Sequence, residues 1–224
     1  MKIVRVVAMA TLAAAVLAGS ARAQGAKPGQ PLPGPFRVFV VTGEVPPPSS
    51  EGLLPSERQN AGDRGRVGKF HDFVTRFGLD PAVAVFVHGE PPAADQPLGK
   101  LFAALEQTVD RNKAARLHAW GVFLGLKDEF LKDEGQSEIV KKIEAFAQSL
   151  KLKHIPLGLD LSPTVDSNER ARRYGIAPET SVIVLVYSNH TIRGRWDFTP
   201  DKPLDDAGIA AIIAEVKKVI GAKK

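Results

Sequence analysis

The chain carries few groups that could do chemistry, and the most suggestive stand two residues apart. His88 closes the apolar run Ala82-Val83-Ala84-Val85-Phe86-Val87, and Glu90 follows it. A strand end and the loop beyond it can present an imidazole and a carboxylate to one ligand, so the pair fits a metal or an acid/base couple. The same residues also fit a strand-end histidine bonded to backbone and a glutamate that opens a loop, because two residues do not make a ligand set. His71 and Thr75 are four apart and share one helix flank, with Asp72 nearer to solvent. A cluster with the Gly/Arg-rich stretch before them and a satisfied histidine at the edge of the core are both compatible with that spacing. His118 and His154 stand alone, with no H-x-x-x-H or H-E-x-x-H spacing. No serine lies in a G-x-S-x-G context. Not one of the 224 residues is cysteine, which removes thiolate nucleophiles, thiolate metal ligands, disulfides and a lipid-modified N-terminal cysteine. No cofactor and no dedicated metal site are expected.

Alternating strands and helices must position these side chains. Phe36 to Val41 is rich in β-formers and bounded by Pro35 and Gly43. Val67, Phe70, Val74 and Phe77 recur at helical spacing up to Gly78, predicting a helix. Ala82 to Val87 is apolar at every position, which predicts a central strand covered on both faces and paired in parallel. Leu98, Leu101, Phe102, Leu105 and Val109 mark a helix capped by Asp95. A strand from Leu117 to Leu124, an amphipathic helix from Ile139 to Leu150, a short strand around Ile155 to Leu159 and a polar helix from Asn168 to Tyr174 follow. The last third reads as a buried strand (Val182 to Tyr187), a turn at Ser188-Asn189-His190, and an alternating strand from Thr191 to Phe198 with Ile192, Trp196 and Phe198 on one face. Asp205 and Asp206 open the final helix, whose stripe is Ile209, Ile212, Ile213, Val216 and Ile220. The order is βα-βα-βα-β-α-ββα: an α/β fold, a mixed sheet flanked by helices, ending in a β-hairpin plus helix. Trp120 and Trp196 are expected to fill the core or cover the sheet.

The ends give compartment and charge. Lys2 and Arg5, the apolar run Val6 to Ala18, and Ala21-Arg22-Ala23 fit a signal peptide over residues 1–23, cleaved before Gln24. The apolar run falls short of the roughly 20 residues a membrane span needs, so export to the periplasm or beyond is expected, with no membrane insertion after cleavage. Subtracting Lys2, Arg5 and Arg22 from the formal +5 leaves +2, no footprint for a nucleic-acid partner. Residues 24–35 read as a Pro/Gly-rich tether, and 44–66 as an irregular loop with Pro46-Pro47-Pro48 and Pro55, inside one domain spanning 36–221. Asn189-His190-Thr191 is a formal glycosylation sequon, though the leader has a bacterial composition.

Three stretches resemble the thioredoxin-like superfamily, in particular its peroxiredoxin and thiol-disulfide oxidoreductase branch: PAVAVFVHGEPP, RRYGIAPETSVIVLVYSNHTIRGRW and the final amphipathic helix. The resemblance covers roughly Phe36 to Ile220. It implies a central strand running into a redox-active helix, with a reactive cysteine at that helix N-terminus. Here Gly89-Glu90-Pro91-Pro92-Ala93-Ala94-Asp95 holds that place, and Asp72 and Thr75 have the Cys-x-x-Cys spacing of a second such position. The resemblance also implies a cis-proline, for which Pro178 and Pro156 are the nearest residues.

Three functions follow as expectations: a redox-inactive binding or structural module, with an unidentified protein or small-molecule ligand; a non-thiol enzyme using His88, Glu90 and His71; or a carrier of a metal or small ligand at His88 and Glu90.

Overall fold

A computed structural model describes residues 26–43, 66–131, 138–162 and 169–221. The expected signal peptide, nearly all of the 44–66 loop and Asn168 lie outside them. Among the described residues seven strands form one sheet: β1 (Arg37–Thr42), β2 (Phe70–Asp72), β3 (Ala82–His88), β4 (His118–Leu124), β5 (Leu157–Leu159), β6 (Val182–Ser188) and β7 (Thr191–Phe198), in the order β2-β1-β5-β4-β3-β6-β7. Around it stand α1 (Phe73–Phe77), α2 (Pro97–Arg111), α3 (Lys127–Leu131), α4 (Glu138–Ser149), α5 (Glu169–Arg173) and α6 (Asp206–Gly221).

The continuous apolar strands are buried on both faces. Val83, Val85 and Val87 of β3 pack with Phe123, Val184, Val186 and the inward residues of α2, α4 and α6, among them Leu101, Phe146 and Ile212. Ala84 and Phe86, one residue out of phase, pack with Trp120, Leu185, Tyr187, Phe73 and Tyr174 on the opposite face. Each such aliphatic side chain contributes about 1.5–3 kcal/mol by leaving water. The second layer is aromatic and holds two polar tips. The Trp120 indole N–H donates to the Tyr187 hydroxyl at 2.9 Å, and the Tyr174 hydroxyl donates to the Gly34 carbonyl. Burial pushes both phenols up from their ordinary value, so both stay neutral.

Several expectations need correction. The stretch from Val67 to Phe77 is not one helix: β2 occupies Phe70–Asp72, and only Phe73–Phe77 is helical. The Asp72 carboxylate accepts from the Val74 N–H at 3.0 Å and so starts α1 at Phe73, six residues after Val67, where the periodicity begins. The first strand does not enter a parallel crossover. β1 pairs antiparallel with both β2 and β5, and only β3–β4 and β4–β5 are parallel. Asp95 is not the cap of α2; Gln96 precedes Pro97 and makes no side-chain cap bond, since proline at the first position has no N–H to satisfy. Strand β7 does not alternate strictly. Val186 pairs with Gly194 but Tyr187 with Ile192, a bulge that takes Ile192 out of the row of Trp196 and Phe198. The β6–β7 turn has Asn189 and His190 both at positive φ (52° and 55°), the geometry of a two-residue hairpin.

The tether is docked, not free, from Ala26 onward. The Gly29 N–H donates to the Ile192 carbonyl (2.8 Å), Ile192 N–H to Gln30 (2.9 Å) and Leu32 N–H to His190 (2.6 Å), so the segment runs along β7. Arg195 fastens it. Its guanidinium donates to the carbonyls of Ala26 (3.1 Å), Tyr174 (2.6 Å) and Gly175 (2.9 Å) and grips both Asp197 oxygens. Those carbonyls lie in the docked segment and just past α5, so one side chain joins three parts of the chain. Arg195→Ala is expected to destabilise the protein by about 2–4 kcal/mol in urea unfolding, since several buried acceptors lose their donor together; a loss under about 0.5 kcal/mol would show that the guanidinium does not hold these pieces together.

Candidate functional site

Because β3, β4 and β5 run in parallel, their carboxyl ends define one edge of the sheet, where open α/β folds gather ligands. His88 stands there. Its N–H donates to the Ser181 carbonyl at 2.9 Å, and the next N–H, of Gly89, donates to Leu124 at 3.1 Å, which ties the end of β3 to its neighbours on both sides. The imidazole lies against Gly125 so closely that a Cβ there would meet Nε2 at 3.0 Å. Gly125 itself sits at φ +76°, so glycine is required twice over. Glu90 turns away to Lys142 of α4, with Nζ 2.8 Å from Oε2. That hydrogen bond raises the Lys142 ammonium above its ordinary value. His88 and Glu90 are therefore each engaged, one by packing and one by an ion pair.

His71, Asp72 and Thr75 are together, but elsewhere. They sit on β2 and the first turn of α1, four strand steps from β3 in the sheet order, or roughly 19 Å at ordinary strand spacing. The three histidine-centred readings thus do not merge into one site. Asp72 is a structural hub: it accepts from the Phe36 N–H (2.9 Å), the Val74 N–H (3.0 Å) and the Thr75 hydroxyl, clipping the start of β1 to the start of α1. The positions with Cys-x-x-Cys spacing hold a helix cap and its partner. His71 is half-buried beside the Phe73 ring, and its Nε2 has no hydrogen-bond partner. Burial lowers its pKa and Arg66 lowers it further, against an opposing pull from Asp72.

Sequence reasoning missed Asp160. It continues β5, donating its N–H to Phe123 (2.9 Å), and is only 1 % exposed. Arg170 of α5 reaches it at 3.0 Å, as does the Ser162 hydroxyl, and the guanidinium lies over the Phe36 ring. A buried carboxylate must be paired, and the Arg170–Arg173 run, ten residues on, was the signal that could have found it. The pair joins α5 to the sheet edge between Asp72 and His88. Among the described residues, no group of three or more His, Asp or Glu side chains could hold a metal ion. Nor does any peptide bond described adopt the cis form at Pro178 or Pro156. A depression of about 500 Å³ at the same edge is lined by Thr180, Arg172 and Arg195, beside β6 and away from the Glu90–Lys142 pair.

No protein-family model and no curated protein matches this chain. Among solved structures it is similar to an uncharacterized conserved protein from Geobacillus kaustophilus, with 10% identity over 89% of this chain and 85% of that one, at a TM-score of 0.52. It is also similar to peroxidoxin BcpB from Mycobacterium tuberculosis (15% identity, 87% and 98% covered, TM-score 0.49) and to a SCO1/SenC family lipoprotein from Bacillus anthracis str. Ames (14% identity, 86% and 96% covered, TM-score 0.49). The parallel β3–β4 pair bridged by α2, followed by the antiparallel β6–β7 hairpin and α6, is the arrangement the sequence resemblance implied. The fold is thioredoxin-like. Likeness at such identities carries fold and not activity, and a thioredoxin-like chain without cysteine cannot run a thiol–disulfide cycle by itself.

The orphaned His71 nitrogen sets a pH dependence. The unfolded chain takes up a proton near the ordinary value of 6.5, whereas the folded chain resists it to lower pH. As pH falls through that window the unfolded state gains a proton the folded state refuses, so stability drops toward acid. His71→Gln is expected to flatten this loss, read as the difference in urea midpoint between about pH 7.5 and about pH 5.5; an unchanged difference would mean that the imidazole is protonated equally in both states.

Proposed function

We propose that this chain is an exported, redox-inactive thioredoxin-like module that acts by binding and not by turnover. One observation carries the reading: where a reactive cysteine would follow the central strand, the chain places His88 packed on Gly125 and Glu90 paired with Lys142. Glu90 is engaged by Lys142 and the His88 ring is held against Gly125, which supports binding over an acid/base couple formed by the two. The enzyme reading needs His71 near these two, and the sheet order separates them. The carrier reading needs more ligands than this edge supplies. Export is supported by the basic, apolar and small-residue succession of residues 1–23.

The reading is tested by assaying the purified chain for insulin-disulfide reduction, hydroperoxide reduction and ester hydrolysis. Rates at the uncatalysed level are expected, unchanged in His88→Ala and Glu90→Gln. A rate above background that His88→Ala abolishes overturns it. Expression with the native leader is expected to yield exported protein whose N-terminal residue, by sequencing, is Gln24; retention of the leader on membrane-bound protein contradicts the export half.

A further inference from the structure

A sheet that does not close has two edges, and this chain treats them differently. The outer groups of β7 are taken by its own Gly29–Leu32 segment. At the other end β2 has no such cover among the described residues, and in an antiparallel ladder every second residue turns its N–H and C=O outward. Next to this edge lies an apolar shelf. Phe70 is 50% exposed and meets the Phe39 ring at 5.8 Å; Phe39 meets Phe130 of α3 at 5.2 Å; Leu131, the next residue, is 63% exposed.

Among the described residues, Arg37 and Lys69 outnumber the one carboxylate of the edge strand, Asp72. The Arg37 guanidinium lies 5.4 Å from the centre of the Phe70 ring, and Lys69 is exposed next to it. From Phe36 to Thr42 and from Arg66 to His71 there is no acidic residue. Asp72, at the far end of β2, is occupied with Phe36, Val74 and Thr75. The acids of α3, Asp128 and Glu129, precede Phe130 in the helix. Two copies of this edge brought together would oppose their cations, which disfavours self-pairing.

Resting on the reading of the chain as a binding module, we propose that the β2 edge accepts an extended acidic segment of a partner protein, added to the sheet as a strand. Main-chain bonds to β2 give the attachment; apolar residues at alternate positions cover Phe70, on the face of Arg37; carboxylates between them, on the opposite face, meet Lys69.

The test titrates the full chain with labelled peptides of about eight residues, alternating valine with glutamate or valine with lysine, followed by fluorescence anisotropy at low salt. The glutamate peptide is expected to bind, and the lysine peptide to bind at least about tenfold more weakly. Lys69→Glu and Phe70→Ser, both at exposed positions, should each weaken the glutamate peptide by about tenfold while leaving the far-ultraviolet circular dichroism unchanged. Equal binding of the two peptides, or of neither, overturns the proposal. So does a dimer in sedimentation that Phe70→Ser dissolves, which would make a second copy the occupant. Binding that arises only after residues 44–65 are replaced by a Gly/Ser linker would give the edge to the chain's own segment, and likewise overturns it. Loss of peptide binding without turnover removes this surface and leaves the module reading standing; turnover abolished by His88→Ala removes that reading whatever the peptides do.

Discussion

A strand that is apolar at every position has no face to give to water, and β3 is such a strand. Its odd-numbered valines and its even-numbered alanines and phenylalanine each require a cover, so helices must stand on both sides of the sheet. Strands β4, buried from Ala119 on, and β6, buried throughout, are paired with it over almost its whole length and share that constraint. Polar groups are left to the strand ends: His88 and Glu90 gather at the carboxyl end of β3, and the buried Asp160 lies at the same end of β5. The position of the candidate site is thus a by-product of how the core is covered. The chemistry of that edge is a separate matter, and here the polar groups are joined to one another.

The pairings have a common effect. Glu90 with Lys142 ties the loop after β3 to α4, Asp160 with Arg170 ties α5 to β5, and Asp72 ties β1 to α1. The first is exposed to solvent, which screens it, and contributes little to stability. The second is buried on the aspartate side, where the more telling quantity is the cost of removing one partner, about 3–5 kcal/mol. In an active site, groups of this kind are held in place with one valence aimed at the substrate. At this edge Glu90 and Asp160 each hold a basic side chain of a neighbouring helix.

Sequence patterning disclosed the core more fully than the edges. Uninterrupted apolar runs located β3, β4 and β6 to within a residue, because double-faced burial leaves no other composition. The final helix was legible from Asp205 to Val216, and Asp205 does accept the Gly208 N–H at 2.7 Å. Periodicity failed at Val67 and Phe70. They recur at helical spacing with Val74 and Phe77 yet lie exposed on or before an edge strand, where the core does not fix which face they show. The β7 bulge and the docking of residues 26–35 were hidden for another reason: both consist of main-chain hydrogen bonds, which any side chain permits. Of the candidate site, single residues were legible and their association was not. His71 and His88 fall on strands that sequence distance places close and sheet order places far apart. Asp160 gave no periodic signal at all.

The departure from thiol chemistry goes deeper than a missing sulfur. A cysteine becomes a thiolate at neutral pH when backbone N–H groups at a helix N-terminus and nearby cations favour the charge. Here β3 ends at His88 and α2 does not begin until Pro97, so Gly89 to Gln96, including Pro91 and Pro92, intervene. The first residue of α2 is a proline and lacks one of the donors that a thiolate would use. A sulfur placed next to His88 would lie a loop away from those that remain, beside the Glu90 carboxylate, whose charge opposes a second anion. A cysteine placed there would therefore not be activated in that way: a loop anchored on α4 by Glu90 separates it from the helix N-terminus. What the chain has instead is a sheet whose β7 edge is capped by residues 29–32, while the β2 edge has no such cover among the described residues.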